Sequence, residues 1–296
     1  MPRVGGLGRV VREANRLFLS LGAPPLVTAS MHNHTKLRLD LRSNTEASSF
    51  YLGEYDAELI AACKQLYDPE TVFLDVGANI GFYSTAMGNF VKLSGAGGRL
   101  LSFEPHPGNF SRLLSNLSLN NLESVVSCFQ LALSDAPGTM DLVLREDFAQ
   151  GSGTGNASIA TNKAFDRGFT TVEISAIPLD QFIDQEQLIG AKIGFIKVDI
   201  EGHEDSFLTG ARNTIRTHEP VLLLEINKPF YEAREVLLDE RLLGQLPSNY
   251  SVFRLLNHSM RQISSLNQCD ALDNVFALPE SKLRLLKSNT KGISWD

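Results

Sequence analysis

Three features of the sequence predict an α/β fold built on a mostly parallel, doubly wound sheet with helices on both faces and an antiparallel last strand. From residue 71 onward, short apolar runs alternate with helical periodicities, the pattern of consecutive βαβ units. The first run, FLDVGANIGFYS over residues 73–84, passes through a glycine turn directly into a helical stretch. Finally, Asp75, Glu104, Asp199 and Glu225 each stand at the end of a strand-like run. In open parallel sheets those ends face one crevice, where the strand order reverses.

The elements follow in order. TKLRLDLR (35–42) alternates like an edge strand, and residues 56–66 carry a helical spacing. TVFLDV (71–76) reads as a buried strand, and Ile80–Val91 as the helix after its glycine turn. RLLSFEP (99–105) is a second strand, stopped by Pro105 and Pro107; Phe110, Leu113, Leu114 and Leu117 then recur at helical intervals. VVSCFQLAL (125–133) reads as a third strand. TMDLVLRE (139–146) and TTVEISAI (170–177) break the alternation and read as a strand pair bridged by a mobile loop containing GSGTGNAS (151–158). IGFIKVDI (193–200), a helix over Asp205–Thr217 and PVLLLEI (220–226) restore the alternation, and YSVFRLL (250–256) and DNVFALP (273–279) close the sheet. The expected organisation is an N-terminal extension of helix and edge strand over 1–50, one main domain over 51–285 with a strand-loop insertion near 138–178, and a C-terminal tail over 286–296.

Composition narrows the function. The chain has 296 residues, 43% of them hydrophobic, and a formal net charge of −7. That charge gives no global footprint for nucleic acid, so no nucleic-acid partner is expected. Cys63, Cys128 and Cys269 share no CxxC spacing, which argues against zinc and against a disulfide framework and fits a reducing, cytoplasmic compartment. No apolar stretch reaches the roughly 18 residues of a spanning helix. Arg3, Arg9, Arg12 and Arg16 precede LFLSLGAPPLV, an apolar run that Gly22, Pro24 and Pro25 interrupt, so a signal peptide fits poorly. The remaining readings are a surface helix with exposed arginines, a basic amphipathic helix resting on the domain, or one making peripheral contact with a membrane.

The loop GANIG between residues 77 and 81 decides between two nucleotide readings. A dinucleotide site wants G-x-G-x-x-G so that backbone amides reach a pyrophosphate. Here the middle glycine is missing and Asp75 stands two residues upstream, which suits no anion. A ligand bearing an ammonium and a sulfonium gains from that carboxylate. S-adenosylmethionine is such a ligand: Asp75 serves its amino group through the loop, and Glu104 accepts both ribose hydroxyls. The alternative is that Asp75 only caps the following helix and the glycines only permit a tight turn.

FLDVGANIGFYS, FEPHPGNFSRLLSNLSLNN, ALSD, IPLDQF, FIKVDIEGHEDSFLTGA and PVLLLEIN occur in the order that identifies the chain, over residues 50–227, as similar to the FkbM-type S-adenosylmethionine-dependent methyltransferases. The resemblance implies a Rossmann-like class I methyltransferase sheet and O-methylation of a hydroxyl on a sugar, glycolipid or secondary metabolite. It carries Asp75, Gly77, Asn79 and Gly81 onto the donor loop, Glu104 onto the ribose acid, and Ala132 and Leu133 onto the adenine border. Asp199, Glu201 and Gly202 match the family's D-x-E-G element. Residues before 50 and after about 230 match nothing in that pattern, and substrate choice is expected there. The partner implied is a small-molecule or glycan acceptor.

A sugar hydroxyl is a weak nucleophile, so a positioned base assists as its proton leaves. KVDIEGHE (197–204) supplies candidates: Asp199 lining the reacting centre, Glu201 beside it, and His203 as proton acceptor by its intrinsic pKa. Lys197 shares a strand face with Asp199 and keeps that carboxylate charged. Against these stand structural readings, in which His203 makes a local helix-terminal hydrogen bond and Glu201 and Glu204 favour a helix dipole. Asp199, Glu201, His203 and Glu225 also offer magnesium or manganese ligands, but in no recognised metal spacing, so a metal-free site is favoured. GSGTGNAS is read either as a lid over the acceptor or as a plain surface loop. Two rival functions share the fold: an NAD-linked oxidoreductase and a non-catalytic nucleoside-binding module.

Overall fold

Adjacent residues of a strand point to opposite faces, and in Val72–Val76 all five are buried, so both faces of the central sheet must be covered. The computed structural model describes residues 7–149, 151–162, 164–186, 190–289 and 293–295. The chain opens with α1 (Leu7–Ser20), the antiparallel hairpin β1 (Leu26–Ser30) and β2 (Lys36–Asp40), α2 (Asn44–Leu52) and α3 (Ala57–Leu66). Arg3 lies outside the described residues. Among those residues no helix is long and apolar enough to cross a membrane.

Next come β3 (Val72–Val76), α4 (Phe82–Ser94), β4 (Arg99–Phe103), α5 (Pro107–Leu119) and β5 (Val126–Phe129). A second sheet follows, made of β6 (Ala132–Leu133), β7 (Gly138–Leu144), β8 (Ala157–Ile159) and β9 (Thr170–Ile177), with the short α6 (Glu146–Ala149) between β7 and β8. The alternation resumes with α7 (Leu179–Gln185), β10 (Ile193–Val198), α8 (Glu204–Gly210), α9 (Arg212–His218) and β11 (Val221–Asn227). After α10 (Lys228–Ala233) and α11 (Leu238–Leu242), β12 (Tyr250–Leu256), β13 (Ser259–Ile263), β14 (Leu272–Pro279), α12 (Glu280–Asn289) and β15 (Ser294–Trp295) complete the chain.

The main sheet runs β15-β13-β12-β14-β11-β10-β3-β4-β5. The five strands from β11 to β5 pair in parallel, and β14 enters antiparallel to β11. This is the α/β architecture the sequence predicts. Successive strands leave β3 in one direction through β4 and β5, and return on its other side through β10 and β11. The crevice therefore opens between the carboxyl ends of β3 and β10. On one face Phe73 and Phe195 stack with centroids 4.8 Å apart, with Tyr67 edge-on to Phe73. On the other, Leu74, Val76, Ile196 and Val198 pack with Phe207 and Leu208 of α8.

The structure departs from the sequence reading in five places. The run 125–133 is not one strand: Val126–Phe129 ends the main sheet, and Ala132–Leu133 joins β9 in the second sheet. Its apolar alternation carries no signal of that change of partner. The helix expected over 205–217 breaks at Ala211, beside Gly210, where a Cβ would lie 1.9 Å from the Ser134 carbonyl. TKLRLDLR edges no part of the main sheet. The outer edge of β2 is instead met by a polar row on α5, with Asn120 accepting from and donating to the backbone of Lys36 and Arg112 donating to the Arg38 carbonyl.

The loop expected to be mobile is pinned. Ser152 donates to Asp40, Thr154 to Glu46, and Gly155 and Asn109 exchange two hydrogen bonds. Its small residues serve close packing against the N-terminal extension. The expected tail is likewise docked, with β15 pairing on β13 and the Trp295 ring edge-on to Phe253.

Asn116 of α5 is fully buried, accepts from the Arg38 amide at 2.7 Å and donates to the Ile80 carbonyl at 2.8 Å. It thus joins the hairpin to the glycine turn. Asn116→Ala is expected to remove about 1–3 kcal/mol of unfolding free energy, read from urea melts.

Candidate active site

The loops that leave β3 and β10 touch. The amide of Asp199 donates to the Val76 carbonyl at 3.1 Å. Gly77, at φ 75°, lies so close that a Cβ would sit 1.9 Å from the Asp199 carbonyl oxygen. Glycine is therefore required there by backbone approach as well as by φ. Gly81, at φ 95°, caps the start of α4.

Lys197 lies at the centre of the crevice. Its ammonium is 3.3 Å from Asp75, 3.5 Å from Asp199 and 2.9 Å from the Gly77 carbonyl, which accepts from it. It also sits 5.2 Å from the centroid of the Tyr83 ring. Burial opposes the charge on Lys197, but Asp199 and Asp75 outweigh it and raise the pKa above its ordinary value. Asp75 is 0% exposed and its second oxygen accepts from Ser84 at 2.6 Å. It therefore faces the Lys197 ammonium and the start of α4, while Gly77 of the loop, whose carbonyl accepts from the same lysine, lines the cavity. Gly81 does not line it. The sequence placed Asp75 and Gly81 beside the donor because a strand-end residue and a turn glycine look alike whether they touch ligand or protein.

Two cavities open over the carboxyl ends. The first is lined by Gly77, Asn79, Glu104, Ala132, Leu133, Asp199, Glu201 and His203, so eight of the ten candidate residues converge on it. A larger cavity, of about 840 Å³, lies beside it under α2, α3 and α10. The two share Thr45, Tyr55, Asn156, Glu201 and Glu225. Thr45, Tyr55 and Asn156 carry no motif of their own. Only Asn156, inside the GSGTGNAS loop, had a local signal.

Glu104 is buried, and its two oxygens accept from the amides of Asn79 at 2.8 Å and His106 at 2.9 Å. Burial raises its pKa to about 7 in spite of those donors. Glu201, at φ 53°, accepts from Asn156 at 2.9 Å and Asn227 at 2.8 Å. Desolvation and then Asp199 push Glu201 and Glu225 above the usual carboxylate range. Asp199, Glu201 and Glu225 have oxygens within 4.8 Å of one another. Glu204 is buried and structural: it accepts from the amides of Ile200 and Gly202 and from the Tyr231 hydroxyl, and so shapes the turn carrying Glu201.

His203 lines the first cavity, at the start of α8. Its Nε2 is 2.9 Å from the Ser134 hydroxyl, beside β6, and it is not among the residues common to both cavities. Burial lowers its pKa. Its side chain makes no capping hydrogen bond to α8, so the local helix-terminal contact is not what holds the ring.

The pinned loop has a titrating anchor. Burial raises Glu46 to about 7, although Thr154, the Asp40 amide and Arg112 favour its charge. A carboxyl raised in the folded state binds a proton that the unfolded chain has released, so its contribution to stability is lost as pH rises from about 4.5 through about 7. Glu46→Gln is expected to remove about 2–4 kcal/mol of the fall in stability over that window, read by comparing denaturant melts of the two proteins across pH.

Residues 75–262 match the family model described as the methyltransferase FkbM domain. Hexuronic acid methyltransferase AglP of Haloferax volcanii is 27% identical over 157 residues, covering 51% of this chain and 54% of that protein. Methyltransferase sdnD of Sordaria araneosa is 28% identical over 167 residues, covering 48% of this chain and 61% of that protein. The chain thus spans between half and two thirds of the curated relatives it matches. Among solved structures, methyltransferase FkbM from Methylobacillus flagellatus KT aligns with a TM-score of 0.41 at 20% identity, over 71% of this chain and 44% of that one. An O-methyltransferase from Bacillus cereus, solved with SAH, aligns with a TM-score of 0.42 at 10% identity, over 92% and 90%. The family match covers most of the chain and includes the end of β3 and all of β4, β10 and β11, with their strand-end acids, and it sets aside the oxidoreductase alternative: this protein belongs to the FkbM methyltransferase family.

Proposed function

We propose that the methyl donor is S-adenosylmethionine, bound in the first cavity, and that the acceptor is a hydroxyl of a sugar, glycolipid or secondary metabolite entering from the larger one. The observation that carries this reading is the meeting of the two cavities at a carboxylate cluster. A hexuronic acid methyltransferase among the relatives supports a sugar acceptor.

The first cavity suits a cationic nucleoside. Lys197 is the one cation lining it among the described residues, against Glu104, Asp199, Glu201 and Glu225. Glu104 Oε2 accepts only the Asn79 amide, while Oε1 accepts the His106 amide and a longer contact at 3.4 Å from the Asn109 side chain, which leaves acceptor capacity for ribose hydroxyls, first on Oε2. Ala132 and Leu133 border the adenine, and Asn79 and Gly77 the methionyl part. The donor supplies an electrophilic methyl on sulfonium, and transfer is an in-line displacement in which positioning does most of the work.

At the junction, Asp199, Glu201 and Glu225 suit a hydroxyl that must lose a proton. Asp199 is oriented by Lys197 and, with Glu201, receives that proton, while Glu225 lies beside them. His203 borders the donor. The same three carboxylates are the set a divalent cation would take. Lys197 faces Asp199, and the Asn156 and Asn227 amides donate to the two oxygens of Glu201, so these groups already have partners within the protein, which favours a metal-free site.

Two outcomes test this reading. Glu104→Ala is expected to cost about 2–4 kcal/mol of S-adenosylmethionine affinity. Because the ionised carboxylate is the acceptor, wild-type affinity rises with pH up to about 7 and then levels; in the variant it stays flat. Calorimetry on either side of neutral reads both. Asp199→Asn is expected to lower turnover by about 10²–10⁴-fold with donor affinity little changed, in an assay of methyl transfer to a panel of glycans and glycolipids followed by mass spectrometry. Chelator leaves the wild-type rate unaltered in the same assay. Loss of activity on chelation with recovery on added magnesium would assign the carboxylates to a metal instead.

A further inference from the structure

The helix α1 has two apolar faces, and only one of them is used. Val11 is buried, and Asn15 donates to the Leu41 carbonyl at 2.6 Å, so this side holds the helix on the body of the protein. A second stripe, Val10, Ala14, Leu17 and Leu21, recurs at four, three and four residues, one face of a helix. The Leu21 amide donates to the Leu17 carbonyl at 3.1 Å, so the stripe continues past the last helical residue. Val10, Leu17 and Leu21 are 65%, 61% and 77% exposed, and Phe18 flanks them. Since the helix is anchored by its other side, burial within the protein does not account for these residues.

Charge selects the occupant. Arg9 and Arg16 lie along one flank of the stripe, with Arg12 further round the exposed side of the helix, and Glu13, paired with Arg16 at 3.0 Å, is the one acid in the helix. The whole chain is at −7, so this flank runs against the sign of the molecule. We propose that α1 docks the protein on an anionic bilayer surface, with the stripe entering the headgroup boundary and the arginines meeting lipid phosphates. A second copy of the chain fits less well, because two-fold pairing on this face sets one arginine flank near its equal and joins two acidic bodies. α2, against which α1 packs, contributes Thr45, Ser48 and Leu52 to the larger cavity, so docking brings that cavity to within one helix of the lipid. The inference does not depend on the identity of the donor or of the acceptor.

The test is vesicle flotation of the full chain, with extruded vesicles of phosphatidylcholine alone or mixed equally with phosphatidylglycerol. Flotation is expected with the mixed vesicles and not with phosphatidylcholine, and it weakens as salt is raised. Leu17→Glu with Leu21→Glu, and separately Arg9→Glu with Arg16→Glu, each lower the partition coefficient by about tenfold or more. Both pairs are exposed, so thermal melts matching the wild type verify the fold. Failure to float with anionic vesicles overturns the proposal, as does equal partition onto both vesicle types or partition unchanged in either double variant. A dimer in gel filtration that Leu17→Glu with Leu21→Glu dissociates, without flotation of the wild type, assigns the face to a second copy and overturns it as well.

Discussion

One buried ammonium holds the crevice together. Lys197 stands between Asp75 on β3 and Asp199 at the end of β10, and also donates to the Gly77 carbonyl. Two neighbouring strand ends that both carry carboxylates, with a loop carbonyl beside them, would repel without it. A buried ion pair is weak evidence for net stability, but removing one member leaves the others uncompensated. The position of Asp199, and through its backbone the close approach to Gly77, depends on this contact. The surplus of acid over base that remains makes the first cavity a place for a cation.

The carboxylates of the site divide by their partners. Asp75 is spent on Lys197 and Ser84, and Glu204 on the amides of Ile200 and Gly202 and on Tyr231. Both are structural, although each sits in a motif that looks functional. Glu104, Glu201 and Glu225 keep a face on a cavity, and desolvation raises the pKa of each. Raised carboxyls that line a cleft are the pattern expected of working groups. The distinction between the two sets is made by neighbours distant in the chain, and not by the residue types.

That is also why legibility stopped where it did. The parallel strands, their order of appearance and the antiparallel return were readable, because a buried strand has a local composition and a glycine turn a local geometry. Eight of the ten candidate residues reach one cavity because strand-end positions are fixed by topology. Which way Asp75 points was not readable, since it depends on Lys197, 122 residues later in the sequence. The role of GSGTGNAS was misread for a related reason. Small polar residues permit mobility and permit tight packing equally, and the decision lies with Asp40, Glu46 and Asn109. The partner of His203 was not readable either, since Ser134 arrives from the residue that follows β6, 69 positions earlier in the chain.

The two cavities draw on different parts of the chain. Every sequence-predicted donor residue lies within the span 75–262 that matches the family. The larger cavity takes Thr45, Ser48, Tyr55 and Glu58 from before that span, and Leu272, Asp273 and Asn274 from after it. Its remaining aromatic wall, Phe165, Phe169 and Phe230, surrounds the Arg145 guanidinium at 5.1–5.3 Å, and Arg145 is itself paired with Asp166. That guanidinium is thus already matched, and the wall offers an incoming acceptor ring edges and amides in preference to a free cation. A sheet switch point conserves where chemistry happens, while the segments folded over it decide what is admitted. In this protein the segments folded over the switch point are the N-terminal extension, the second sheet and the strands that close the sheet. The residues matched to the family therefore carry the strand-end acids of the first cavity, and the walls of the larger one are drawn in good part from the segments around them.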